Sequence, residues 1–295
     1  MIRRTLLACC GALLLTACDR DGAATGEVAS ESAPPLWEIV GADGAVEGWL
    51  FGTVHALPDG IEWRTDLLDS TLGEADTLVV EVASLEDGAA LNRLFSRMAT
   101  DEPSPPLAER VDPKLREAYE QLLVRANLRR DQFDGLESWA AALSLAQLAQ
   151  TAKTANGVDR ELISRFGERE VVELEGAAAQ LEIFDRLPEP EQRDLLNAVL
   201  KETRDREIQA ETLAEVWRSG DIERLAALSM RGMLSDPELY EALLAGRNRA
   251  WAAQIENLLS AEERPLVAVG AGHVVGPDGL PAMLHARGYI LRRVQ

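Results

Sequence analysis

Two stretches near opposite ends of the 295-residue chain share one build: Trp49-Leu50-Phe51-Gly52-Thr53-Val54-His55 and Val267-Ala268-Val269-Gly270-Ala271-Gly272-His273. Each runs an apolar, strand-like segment into a glycine and places a histidine three residues later. In α/β sheets ligands gather outside the carboxyl ends of strands, and glycine lets the backbone turn tightly or approach a bound group. The pattern therefore aims two imidazoles at one end of a sheet. A single histidine in such a context is commonly a turn residue; the repetition makes His55 and His273 candidates. His285, in Leu280-Pro281-Ala282-Met283-Leu284-His285-Ala286-Arg287-Gly288, reads as a last-turn helix residue before a closing glycine and is left out of the site.

Glu81 is the third element, a carboxylate inside the apolar run Thr77-Leu78-Val79-Val80-Glu81-Val82. An unpaired buried charge costs several kcal/mol, about 3–5 when a partner is missing, so it needs a cation, a metal, a set of donors or the exposed end of the sheet. A solvent-facing place on a half-covered strand is the plain alternative. Glu173 and Glu175 pose the same question, and strand alternation puts both on one face. The three cysteines, Cys9, Cys10 and Cys18, all lie in the first eighteen residues, so the rest of the chain has no thiol nucleophile, disulfide or thiolate metal site. Gly-x-Ser-x-Gly, His-Glu-x-x-His and Gly-x-x-x-x-Gly-Lys-Ser/Thr patterns are absent, which removes the usual signals of serine hydrolases, zincins and nucleotide binding.

The elements that must carry these residues are legible in outline. Trp37 to Val40 and Trp49 to Phe51 flank Gly41-Ala42-Asp43-Gly44, as an opening β-hairpin would. Asp76 to Val82, Val171 to Leu174 and Leu266 to Val269 are short apolar runs of strand length, and Tyr289 to Val294 gives a terminal strand. Helical spacing covers Leu136 to Thr151, Ala177 to Leu187, Glu189 to Lys201 and Pro237 to Leu259, with N-caps expected near Ser70, Ser84 and Asp221. The expected fold is α/β: a small mixed central sheet with an opening β-hairpin, flanked by many helices, in one domain over 36–295 with a helical insertion at about 105–166.

Arg3 and Arg4, an apolar stretch from Leu6 to Leu15 and small residues after it form a secretory signal pattern over 1–17. Leu15-Thr16-Ala17-Cys18 resembles a lipobox, which makes Cys18 the expected acylation site. Residues 18–35, polar and ending in Pro34-Pro35, read as a flexible tether. The expected location is the cell envelope, facing the periplasm, with a lipid anchor as the only membrane attachment. A formal net charge of −20, from 30 Lys plus Arg against 50 Asp plus Glu, repels nucleic acid and anionic headgroups.

The paired Gly-x-x-His motifs, Gly52/His55 and Gly270/His273, with Glu81 following the first, resemble the TraB/GumN family, related to the Tiki proteases. Weaker matches are Asn156-Gly157-Val158-Asp159, the Leu174-Glu175 stretch leading to Phe184-Asp185-Arg186-Leu187-Pro188, and Arg247-Asn248 with Trp251. The resemblance spans about 36–294. It implies a divalent-metal hydrolase, with peptide bonds the substrate class in the Tiki branch and a peptide or small-molecule substrate here. In the GumN branch the name comes from association with exopolysaccharide genes.

On that reading His55, His273 and Glu81 form a three-ligand set with an open position for water, and nitrogen and oxygen donors suit Zn, Mn or Co alike. Arg247 is expected to stabilise an oxyanion and Glu175 to move protons, with Glu81 also in the catalytic set. Two alternatives stand beside it: a metal-independent His/Glu hydrolase of the same fold, resembling the erythromycin esterases, and a non-catalytic binding or assembly lipoprotein linked to exopolysaccharide production.

Overall fold

The computed structural model describes residues 32–83, 88–100, 104–150, 152–206, 213–261 and 263–295. The signal segment, Cys18 and most of the tether lie outside the described residues, as does Ser84.

The chain opens with β1 (Leu36–Val40) and β2 (Val46–Thr53), followed by α1 (Asp66–Glu74) and β3 (Thr77–Val80). Five helices come next: α2 (Gly88–Met98), α3 (Leu107–Arg110), α4 (Arg116–Arg125), α5 (Ser138–Ala149) and α6 (Val158–Phe166). After β4 (Val171–Glu173) run α7 (Gly176–Asp185), α8 (Glu189–Arg206), α9 (Leu213–Ser219) and α10 (Ile222–Ser229). The chain ends with α11 (Pro237–Tyr240), α12 (Gly246–Ser260), β5 (Pro265–Gly270), α13 (Leu280–Ala286) and β6 (Ile290–Arg293). The fold is α/β, a mixed six-stranded sheet of order β4-β3-β5-β2-β1-β6 set among helices.

The opening hairpin turns through Gly44, whose φ of 86° suits a residue without a Cβ, and the Asp43 carboxylate accepts from the Ala45 amide at 2.9 Å. β1 pairs antiparallel with β2 and β6. From β2 outward the sheet is parallel: Thr53 lies opposite Gly270, Val80 opposite Ala268, and Val80 opposite Glu173. β3 is buried along its whole length and β5 up to its last residue, as strands covered on both faces require.

Apolar residues fall into two cores. One surrounds the sheet and takes in Phe51, Trp63, Trp217, Trp251 and α6. The other is helical, built by α3, α4, α5 and α8 around Trp139, Tyr119 and Leu145, with Leu239 and Leu243 at its edge. The stretch from 105 to 166 thus divides: its first part builds the helical core, while Val158, Leu162 and Phe166 pack on the sheet.

Two local expectations change. The first N-cap is Thr65, not Ser70, with its hydroxyl accepting from the Leu68 amide at 3.1 Å; Asp221 caps α10 as expected. The single helix expected from Pro237 to Leu259 is interrupted by a π-helical turn over Glu241–Ala245 between α11 and α12. A π turn inserts one residue into the helical repeat and re-aims the next turn of helix, which here carries Arg247 and Asn248.

Candidate functional site at the carboxyl ends of the parallel strands

Because β2, β3, β4 and β5 run parallel in this register, their carboxyl ends finish along one edge of the sheet. His55 stands two residues beyond β2, Glu81 directly after β3, and Glu175 at the entry to α7 beyond β4. His273 lies in a 3₁₀ turn, Ala271–Val274, that continues β5. The re-aimed first turn of α12 supplies Arg247 and Asn248. Residues scattered from 55 to 273 meet here because four strand ends do.

Glu81 is buried, 4% exposed, yet both carboxylate oxygens are satisfied. Oε1 accepts from the Gly270 amide at 2.7 Å; Oε2 accepts from Arg247 Nη2 at 2.9 Å and Gln180 Nε2 at 3.2 Å. Burial opposes its charge, but His273, His55 and Arg247 with the Gly270 amide outweigh that and hold the carboxyl down at about 2.

Arg247 is the hub. Its Nε and Nη2 grip Glu175 in a bidentate pair at 2.8 and 2.9 Å, and Nη1 donates to the Leu243 carbonyl of the π turn at 3.0 Å. The guanidinium lies over the Trp251 ring, 4.6 Å from its centroid. Burial alone would lower its pKa, but Glu175 and Glu81 raise it. The arginine expected to meet an oxyanion is thus already engaged by two carboxylates, and Glu175, expected to move protons, is one of them.

The two histidines sit in different settings. His273 is buried and stacks near Trp251, with ring centroids 4.5 Å apart. The Asn248 amide nitrogen donates to the Asp278 carbonyl at 2.7 Å, so its oxygen, 2.6 Å from His273 Nδ1, accepts. His273 is therefore the Nδ1–H tautomer, and its Nε2 lone pair faces Arg247 Nη1 at 3.3 Å. Burial pushes its pKa down to about 4, against the pull of Glu81, so it is neutral at pH 7.

His55 Nδ1 instead lies 2.8 Å from Asp159, which also accepts from the Thr53 hydroxyl at 2.7 Å. Burial of its inner edge works to lower its pKa, but Asp159, by charge and hydrogen bond, and then Glu81 raise it to about 9. With 61% of the side chain open to solvent, the Asp159 pairing decides the direction.

Gly270 explains how these groups can share a space. A Cβ there would stand 3.1 Å from Glu81 Oε1, 3.5 Å from His55 Nε2 and 3.6 Å from His273 Cδ2. Any side chain at 270 would fill the volume on which two imidazoles and a carboxylate converge. Gly52 does a different job: a Cβ would strike Val274 at 2.8 Å, so this glycine lets β2 pack against the turn carrying His273.

Both imidazoles have an oxygen acceptor on Nδ1 and present Nε2 inward, the usual arrangement of metal-ligating histidines. With Glu81 they make a chemically suitable N₂O donor set. Among the described residues, however, no three imidazole or carboxylate groups stand ready around a common point, and Arg247 holds both Glu81 and His273 Nε2.

Three partners had weaker signals in the sequence or none. Asp159 and Asn248 fall within matched stretches but carried no role there. In Asn156-Gly157-Val158-Asp159, Asn156 donates to the Leu57 carbonyl at 3.2 Å, and a Cβ at Gly157 would meet the His55 carbonyl oxygen at 2.5 Å. The close approach at 157 brings Asp159 onto His55. Gln180 had no signal, since only the packing of α7 brings it to Glu81. Glu173 and Glu175 part company: Glu173 turns outward and accepts from the Ala83 amide, while Glu175 enters the cluster. His285 is exposed, beyond the site, with Nδ1 3.2 Å from the Tyr289 carbonyl.

A mixed α/β sheet whose parallel strands end, along one edge, in paired Gly-x-x-His turns and a buried glutamate defines the class. Residues 35–293 match the TraB/PrgY/gumN family, and the chain belongs to it. No curated protein and no solved structure matches the chain.

Proposed function

We propose that this chain is a hydrolase of the cell envelope, with peptide bonds as its substrate class, and that His55, His273 and Glu81 hold a divalent ion. The observation that carries this reading is the space at Gly270, bordered by two imidazoles and a carboxylate. A bound divalent ion supplies Lewis acidity and lowers the pKa of water toward neutrality. The protein's own residues do the rest. Asp159 and Asn248 fix the two ring orientations through Nδ1, and Arg247 helps keep buried Glu81 ionised while it grips Glu175. The metal would be Zn, Mn or Co, since nitrogen and oxygen donors accept each. Acylated Cys18 would tether the folded part through residues 19–35.

One observation favours a metal-free variant of the same hydrolase. Glu81 already has three donors, including a guanidinium, and so has no need of an ion. In that variant His273, neutral at pH 7 and oriented by Asn248, is the general base, and His55, protonated beside Asp159, is the general acid.

The test uses the purified full chain, with metal content by elemental analysis and turnover of a peptide library. Hydrolysis lost on chelation and in His55→Ala supports the metal hydrolase. Hydrolysis that survives chelation but is lost in His55→Ala supports the metal-free one. No hydrolysis by metal-loaded protein turns the assignment to a binding lipoprotein.

A further inference from the structure

The pocket opening beside His55 is small, about 190 Å³, and lined by His55, Glu81, Thr154, Asp159, Arg160 and Gln180. Its two carboxylates are spoken for. Asp159 is held by Thr53 and His55, and Glu81 by Gly270, Gln180 and Arg247. Arg160 differs: among the described residues its guanidinium has no hydrogen-bond or ion-pair partner, although acids outnumber bases 50 to 30.

Its position makes this lack costly. Asp159 and Arg160 are consecutive residues in the first turn of α6, and the Thr53 and His55 contacts of Asp159 pin that turn. A cation near a helix N-terminus faces the positive end of the macrodipole and destabilises the helix by a few tenths of a kcal/mol or more. An anion there would be favoured by the guanidinium and the helix end together.

The pocket's size limits what carries that anion. Water occupies about 30 Å³ in the liquid, and drug-sized sites run to roughly 300–1,000 Å³. A volume of about 190 Å³ is on the scale of a single residue, as a terminal residue would require.

We infer that Arg160 docks a carboxylate of the substrate, the α-carboxylate of a C-terminal residue. This rests on the hydrolase reading and gives it a substrate class: short peptides or N-acyl amino acids with a free carboxyl end. Arginine's planar fork matches a carboxylate through two parallel hydrogen bonds. Arg160 is thus a specificity-determining residue that holds the substrate's end while the reacting bond lies toward His55 and Glu81.

The test compares N-acetyl-dialanine as free acid and as C-terminal amide on the full-length protein, by turnover and by calorimetric binding. The expected result is a preference for the acid of about ten- to a hundredfold, carried by KM and by Kd, since a charge-assisted hydrogen bond contributes about 1.5–3 kcal/mol. Arg160→Ala abolishes the preference, and Arg160→Lys restores part of it, keeping charge but losing the fork. Unfolding midpoints of both variants, with Arg160→Gln as a third, separate loss of recognition from loss of fold. Equal handling of acid and amide by the unaltered protein overturns the inference, as does binding of neither, or a preference that survives in Arg160→Ala. Acid-selective binding without turnover upholds the pocket assignment and sinks the hydrolase reading instead.

Discussion

The two Gly-x-x-His turns start from one sequence pattern and end in opposite electrostatic states. After Gly52 the imidazole reaches a half-open pocket and meets a carboxylate, Asp159; after Gly270 it is buried and meets an amide, Asn248. The first is held protonated up to about 9, and the second stays neutral down to about 4. The motif therefore sets where a ring goes, while the group on Nδ1, together with burial, sets its charge. Arg247 belongs to the same contrast, because it stands against Nε2 of the buried ring and disfavours a second positive charge there.

The largest expected effect comes from removing that cation. Arg247→Met leaves buried Glu81 and part-buried Glu175 without their shared partner, and breaking a buried pair costs about 3–5 kcal/mol. Urea unfolding should show a loss of this size, and the His273 pKa should rise, since two uncompensated carboxylates then invite a proton. A variant as stable as the parent would mean that Arg247 is not the hub of the site.

Exchanging the Nδ1 partners is the sharper experiment. Asn248→Asp places a carboxylate on His273 and should raise its pKa from about 4 by at least one unit, roughly 1.4 kcal/mol. Asp159→Asn should bring His55 down from about 9. Ring-proton titration by NMR on chelator-treated protein reads both. Unchanged values in either variant would leave burial alone as the cause of the difference.

The pH dependence of stability is set by the same three groups, with opposite signs. His55 binds its proton more tightly folded than unfolded, so its contribution is complete below about 6.5 and is lost as pH rises through about 9. Glu81, held down at about 2, loses its contribution as pH falls from about 4.5 through 2, and His273, held down at about 4, loses its own as pH falls from about 6.5 through 4. Unfolding midpoints should therefore decline on both sides of a maximum near neutrality. In Asp159→Asn the alkaline decline should flatten while the acid one persists.

The smallest effect is expected at His285, the histidine outside the comparison. Its ring is exposed and reaches only the Tyr289 carbonyl. His285→Ala should change stability by no more than about 0.5 kcal/mol and leave turnover intact. A loss of activity equal to that of His55→Ala would show that the site extends to α13.

Much of the sheet was legible because its signals are local. Val79, Val80, Val267 and Val269 lie in short, β-branched apolar runs of strand length, and the hairpin had Asp43-Gly44 between two such runs. The helical part was read less well. The break at Glu241–Ala245 had no signal in its composition, since Leu243 and Leu244 continue the helical period through it. Nor does periodicity tell which of two cores a helix joins, and α6 and α5 part company on that point.

Taken alone, the amino-acid order determined the strand runs, the two glycine-to-histidine spacings, the apolar setting of Glu81 and the family to which the chain belongs, because each is written within a few consecutive residues. Tertiary structure decided the rest. The parallel register of β2, β3, β4 and β5 brought residues from 55 to 273 to one edge, and the π turn swung Arg247 between Glu81 and Glu175. Asp159 and Asn248 arrived on the two rings from elements far away in sequence. Protonation state and donor satisfaction depend on distances of about 3 to 4 Å between such residues, and electrostatic energies that fall off with separation are set only when the chain has folded.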